Sequence, residues 1–220
     1  IEDMAFPFAE PDTCATVKQS IDSDPRLQLA FIDPMLRQLA SLMEKAGVDG
    51  EMTILVNGYW QTWQKLRRMA RARKAALNGY NHVNDLVSFR MVIDSEDKSQ
   101  CYRLLGEVNT FFGPYLDNDR FDDFIAYPQN GYRAIQVTAW LPDYGAVEVA
   151  ISTREMEGEN LWGVVYALQN NKVDSLNLYS PVEILTPSGG ARFLRDGSTV
   201  LDAVASIQQE FLLDKISAVK

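Results

Sequence analysis

Two cysteines in 220 residues, Cys14 and Cys101, are too few for a disulfide framework and fit no metal spacing. The single histidine, His82 in "NGYNHVND", has no second His or Cys nearby to complete a ligand set. No apolar run reaches the roughly 18 residues of a membrane span. Positive charge is also short. Lys and Arg number 21 against 30 Asp and Glu, a formal charge of −9. That argues against broad nucleic-acid binding, which needs a positive field. There is no signal peptide, internal repeat or low-complexity tract. The simplest expectation is a cytoplasmic protein with one large domain, or a medium domain plus a small module.

What is present alternates between helical and strand patterns. Apolar residues recur at helical spacing from Arg26 to Ala46, with Pro34 as a kink or restart and Gly47 as the stop. "EMTILVNG" is a short strand or edge segment. A second helix is predicted from about Tyr59 to Leu77, with Trp63, Leu66, Ala70 and Leu77 on one face. Arg67, Arg71 and Lys74 lie on another, near Lys65, Arg68 and Arg73. This local basic cluster is either a solvated helix face or a cradle for phosphates, whose oxygens need charged donors. "DLVSFRMVI", "RAIQVTAW" and "AVEVAIST" read as strands, each with an apolar face and a more polar one. Between the first two lies a helix, "KSQCYRLLGEVNTFF", whose apolar stripe includes Cys101 as a core residue. The expected class is α+β. Past Tyr179, "PVEILTPSGGARFLRDGST" is a hairpin-like strand pair, with turns at Pro187–Gly190 and Asp196-Gly197 and a helix after Ser198 or Thr199.

Three strand features suggest chemistry. Asp85 opens one strand, Glu148 sits mid-strand on a polar face, and Arg90 shares that face. Two carboxylates on neighbouring strands suggest a metal–nucleotide site. The alternative is an Arg90–Glu148 cross-strand pair.

Read in order, the motifs resemble the synthetase domain of the RelA/SpoT family, enzymes that move a pyrophosphate from ATP to the 3′-hydroxyl of GDP or GTP. "DLVSFR" resembles the family's D-L-x-x-x-R. "FDDFIAYPQNGYRAIQVT" resembles its F-K-D-Y-I-A-x-P-K-x-N-G-Y-x-S-L-H-T loop and strand, and "EVAISTREM" its E-I-Q-I-R-T-x-x-M strand end. Leu66 to Met69 look like its S-I-x-x-K-M helix, and Gly163-Val164 fall at its Gly-Val helix. "VEILTPSGGARFLRDGSTVLDAVASIQQEF" looks like the start of a TGS module, and "IEDMAFPF" like the end of a preceding hydrolase half. The resemblance thus implies the middle of a long family member. Residues 1–50 would be a helical linker, 51–178 the synthetase-like domain and 181–220 a partial TGS domain. The implied fold is a mixed, mostly five-stranded sheet flanked by helices, nucleotidyltransferase-like, with N-terminal helices and a small β-grasp-like C-terminal piece.

The same resemblance implies roles. Tyr132 would stack guanine, aimed by Asn130-Gly131. Arg90 and Arg68 would bind nucleotide. Glu148 would be the general base, and Asp85 with Glu148 would hold Mg²⁺ if the domain is active. The departures concern charge. Asp122 replaces a loop Lys, "YPQNGY" is one residue shorter than the family loop, and Gln136 stands for His. Ala150 and Ser152 stand for Gln and Arg, Asn160-Leu161 for Ala-Glu, and Ala167-Leu168 for His-Trp. "GYWQTW" lacks the Arg and Lys that grip ATP. Pyrophosphoryl transfer is mostly positioning and charge neutralisation, and each lost charged contact costs roughly 2–4 kcal/mol. The leading expectation is a catalytically impaired, regulatory or structural synthetase-like domain that binds a guanine nucleotide and disfavours ATP. Its partners would be the adjacent hydrolase and TGS regions, with no membrane and no nucleic acid. Alternatives are an active GTP pyrophosphokinase and a protein-interaction module without nucleotide.

Overall fold

The computed structural model describes residues 1–73, 80–128, 131–169, 182–185, 191–194, 198–200 and 202–203. Five strands, β1 (Gly50–Val56), β2 (Val87–Ile93), β3 (Leu116–Asp123), β4 (Ile135–Leu141) and β5 (Gly145–Thr153), form one mixed sheet in the order β1-β2-β5-β4-β3. Every neighbouring pair is antiparallel except β2 and β5, which run parallel. A parallel pair needs a long crossover. Here the crossover holds helix α5 (Ser99–Phe112) and the β3–β4 ribbon. Helices α1 (Glu2–Ala9), α2 (Pro11–Asp22), α3 (Leu29–Ala46), α4 (Tyr59–Arg73), α6 (Arg154–Trp162) and α7 (Val164–Gln169) complete the unit. The α+β expectation of a five-stranded mixed sheet flanked by helices holds. A separate antiparallel hairpin pairs β6 (Val182–Leu185) with β7 (Ala191–Leu194). The predicted turns after these strands, and most of the helix after Thr199, lie outside the described residues.

The apolar sheet face is made by Phe89, Met91, Val147, Val149, Ile151, Ile135 and Val137, all buried. Helices α3 and α5 cover it. The α3 stripe buries Phe31, Leu39, Leu42 and Met43, and Phe31 meets Phe89 at 6.2 Å between centroids. Burying side chains of this size stabilises by roughly 1.5–3 kcal/mol each. α3 starts at Leu29, after a 3-10 turn over Pro25–Leu27, and runs through Pro34 as one helix. It ends where Gly47 adopts φ 60°, the left-handed cap that suits glycine. Cys101 is fully buried on α5, and burial pushes its thiol up to about 12. That fits the core role predicted for it.

Two differences from the sequence reading matter for the site. β3 was not anticipated, because "LDNDRFDD" shows no clean alternation of apolar and polar residues. An edge position explains it, since edge strands tolerate charge. The polar faces of β2 and β5 are also not open, for every residue of both strands is buried. Their polar side chains lie under α6 and beside α4, and each must find a partner there.

The N-terminal helices are anchored to α4. Phe6 is buried against Trp60 (5.0 Å, edge-on) and Trp63 (5.3 Å, stacked). Asp3 of α1 accepts from the backbone N–H of Tyr59 (3.1 Å) and of Trp60 (2.8 Å). These are the unpaired first donors of α4, so a remote carboxylate serves as its cap. The approach depends on Gly58, where a Cβ would lie 2.4 Å from the Asp3 carboxylate oxygen. Asp3→Ala should therefore lower unfolding stability by about 1 kcal/mol, the usual value of a lost cap. Urea denaturation of the two proteins measures it, and an unchanged midpoint would refute the capping role.

Candidate functional site

Glu148 is the centre of the polar sheet face. The parallel register places it opposite Ser88, and the antiparallel register places it opposite Thr138. Its carboxylate accepts from Ser88 Oγ (2.9 Å) and Asn84 Nδ2 (3.1 Å). Asn84 Nδ2 also reaches Thr138 Oγ1 (3.2 Å). Only 6% of Glu148 is exposed. Burial lifts its carboxyl to about 7, and the Asp85 charge adds to the lift. Lys65, the Ser88 hydroxyl and Arg90 pull the other way. A carboxyl near neutrality is suited to taking a proton.

Asp85 does not open β2, as its sequence position suggested. It sits in a 3-10 turn, Asn84–Leu86, just before the strand. The turn still brings it close to Glu148, and Lys65 Nζ lies 2.8 Å from Asp85 Oδ1. Lys65 also donates to Asn84 Oδ1 (2.9 Å). Thus α4 sends one ammonium to a cluster of two carboxylates. Among the described residues no group of three His, Cys, Asp or Glu could hold a metal ion.

A cleft of about 540 Å³ opens beside this cluster, lined by Glu2, Trp60, Gln61, Lys65, Arg68 and Asp85 among others. Arg68 and Lys65 are therefore the α4 cations that face it. Arg67 instead lies over the Trp63 ring, 4.4 Å from its centroid. The side chains of Arg71 and Lys74 lie outside the described residues.

Arg90 shares the polar face with Glu148 but is not its cross-strand pair. Its guanidinium donates to Glu157 Oε2 of α6 (2.9 Å), and Ser152 Oγ reaches the same oxygen (3.3 Å). No local signal marked Glu157, because a glutamate in the first turn of a short helix is ordinary.

Tyr132 lies over the same face. Its hydroxyl accepts from Gln136 Nε2 (3.0 Å), and its ring meets Phe124 edge-on at 5.5 Å. Burial raises the phenol's pKa, and the nearby Glu148 charge raises it further. Gly131 precedes it at φ 78°, a conformation that favours glycine. Asn130 and Gln129 lie outside the described residues. Asp123, beside Asp122, accepts from the N–H of Ile125 and Ala126 and from the Tyr102 hydroxyl, which closes the turn after β3. Glu148, Asp85, Arg90 and Tyr132 are thus brought to one face, with Arg68 in the adjoining cleft. No helix among the described residues is long and apolar enough to cross a membrane.

A family model described as "Region found in RelA / SpoT proteins" matches residues 56–170, a little over half of the chain. The chain is 25% identical over 196 residues to the GTP pyrophosphokinase rsh of Brucella ovis, covering 89% of this chain and 24% of that protein. It is 26% identical over 180 residues to a guanosine-3′,5′-bis(diphosphate) 3′-pyrophosphohydrolase of Haemophilus influenzae, covering 80% of this chain and 25% of that one. The chain spans about a quarter of the length of these curated relatives. Among solved structures, the small alarmone synthetase 2 of Bacillus subtilis aligns with a TM-score of 0.44 and 19% identity, over 64% of this chain and 77% of that one.

Proposed function

The chain belongs to the RelA/SpoT family, and from that premise we propose that it holds a synthetase-derived domain that keeps a guanine-nucleotide seat and has lost most of its pyrophosphoryl transfer. Within a longer protein of ppGpp metabolism its work is regulatory or structural, toward adjoining hydrolase and TGS regions. Residues 181–220 are read as the start of the TGS piece, and residues 51–178 as the synthetase-like domain.

The charge balance of the site carries this reading. Two of its cations are already held by carboxylates, Lys65 by Asp85 and Arg90 by Glu157. The cleft that takes Lys65 and Arg68 also takes Glu2 and Asp85. A triphosphate has to be met by surplus positive charge, because its oxygens need charged donors. Guanine stacked on Tyr132 needs none. The expected results are binding of GDP in calorimetry, no measurable binding of ATP, and little transfer from labelled ATP to GDP or GTP. Each missing phosphate contact is expected to remove about 10²–10³ in rate. Product formed at the rate of an active synthetase, and abolished by Glu148→Gln, would overturn the proposal.

One observation favours an active enzyme as the second reading. Glu148 is held at about 7 beside Asp85, which suits a base acting on a ribose 3′-hydroxyl. The pair also fits magnesium. Two facing carboxylates whose repulsion Lys65 now relieves are the donor set that Mg²⁺ takes together with phosphate oxygens. Asp85 and Glu148 would hold the ion, and it would supply charge neutralisation at the transferred group.

A further inference from the structure

Tyr132 sits between a glycine at φ 78° and the start of β4 at Ile135. Something has to fix the backbone of this short span, or the ring has no set direction. The side chain of Asn160, on α6, does so. Its Oδ1 accepts from the N–H of Arg133 (2.8 Å), and its Nδ2 donates to the carbonyl of Arg133 (3.0 Å). Both backbone groups of one residue are thus satisfied by one carboxamide, as a neighbouring strand would satisfy them. A carboxylate could only accept, and an apolar side chain could do neither. The Arg133 guanidinium reaches Glu159 of the same helix at 3.1 Å, a second point of attachment. On its far side the Tyr132 ring is limited by Phe124 and its hydroxyl by Gln136.

We propose that Asn160 is a positioning residue for the nucleotide seat: its two hydrogen bonds to Arg133 set the direction of the Tyr132 ring. This rests on the reading of Tyr132 as the surface that stacks guanine. Asn160 lies three residues after Glu157, on the same side of α6. Glu157 holds Arg90, whose charge acts on the Tyr132 phenol, so one helix sets both the ring and this guanidinium. Any shift of α6 moves the base seat and the Arg90 charge together.

The test uses the 220-residue protein labelled with fluorotyrosine, the Tyr132 resonance being assigned by its absence in Tyr132→Phe. Asn160→Ala should shift or broaden that resonance and weaken GDP binding about tenfold, the equivalent of one well-oriented hydrogen-bonded contact. Asn160→Asp, which keeps one of the two bonds and the side-chain shape, should fall between. In a Tyr132→Ala background Asn160→Ala should have no further effect on GDP affinity. A loss of equal size in that background would make Asn160 merely structural and overturn the proposal. So would an unchanged resonance in Asn160→Ala. If the unsubstituted protein fails to bind GDP, the functional reading falls, while the resonance still decides whether Asn160 fixes the ring.

Discussion

Arg26→Met will lower the free energy of unfolding by about 3–5 kcal/mol, the range for removing one partner of a buried ion pair. The Arg26 side chain is completely buried, and Asp24 is 8% exposed. Its guanidinium grips Asp24 with two parallel bonds, Nε to Oδ1 at 2.9 Å and Nη2 to Oδ2 at 2.8 Å. The remaining donors go to main-chain carbonyls of Val83 (2.8 Å), Tyr80 (2.7 Å) and Ala146. Methionine fills a similar volume but strips the buried Asp24 carboxylate of its counter-charge, leaving it the backbone N–H of residue 26, and removes the guanidinium's bonds to three carbonyls. Urea denaturation gives the number. A loss below 1 kcal/mol would show that water replaces the guanidinium at little cost. Removing the stranded charge as well, in Arg26→Met with Asp24→Leu, should recover part of the loss.

Glu148→Gln will make the folded protein more stable at pH 8 while removing any transfer activity it has. The folded carboxyl titrates near 7, against an ordinary value of 4.5. Below about pH 4.5 both folded and unfolded chains carry the proton, and burial adds no ionisation penalty. As pH rises, the unfolded chain ionises first, so stability is lost progressively between about 4.5 and 7 and then levels off. Glutamine has no such loss. The advantage of Glu148→Gln should therefore grow across that window to roughly 2–3 kcal/mol. Its carboxamide can accept from Asn84 while donating to the Ser88 hydroxyl, which turns to receive it. Thermal unfolding at pH 5 and pH 8 is the measurement. A stability difference that does not change with pH would mean that Glu148 is not held protonated by burial.

Much of the fold was legible because its signals are local. β2, β4 and β5 alternate apolar and polar residues, and α3 and α5 carry apolar stripes at helical spacing. β3 was not legible, since a charged edge strand with only Leu116 and Phe121 against the core, and a register shift between them, carries no regular alternation. The site divides the same way. Asp85, Arg90 and Glu148 stood out as charges in or beside apolar strands. Their partners did not. Lys65 appeared as one of several basic residues on α4, and its pairing with Asp85 spans 20 positions. Glu157 and Asn160 lie on a short polar helix with no marked apolar face. Only the placement of α6 over the sheet gives them work. Arg26 read as an ordinary helix-entry residue, and nothing near it foretold complete burial.

The single parallel pairing has a consequence for how the chain acquires its site. Ser88 and Glu148 are direct register partners 60 residues apart. The antiparallel pairs β1–β2 and β4–β5 join strands closer in sequence, the latter through a tight turn. Contacts of long sequence separation pay their loop-closure entropy before returning energy, so they form late. The β2–β5 seam is therefore expected to close last within the sheet. Either half, folded alone, would hold only part of the site, with Lys65 and Asp85 on one side of the seam and Glu148 and Tyr132 on the other. Ligand-binding competence and completion of the sheet should arrive in one kinetic step.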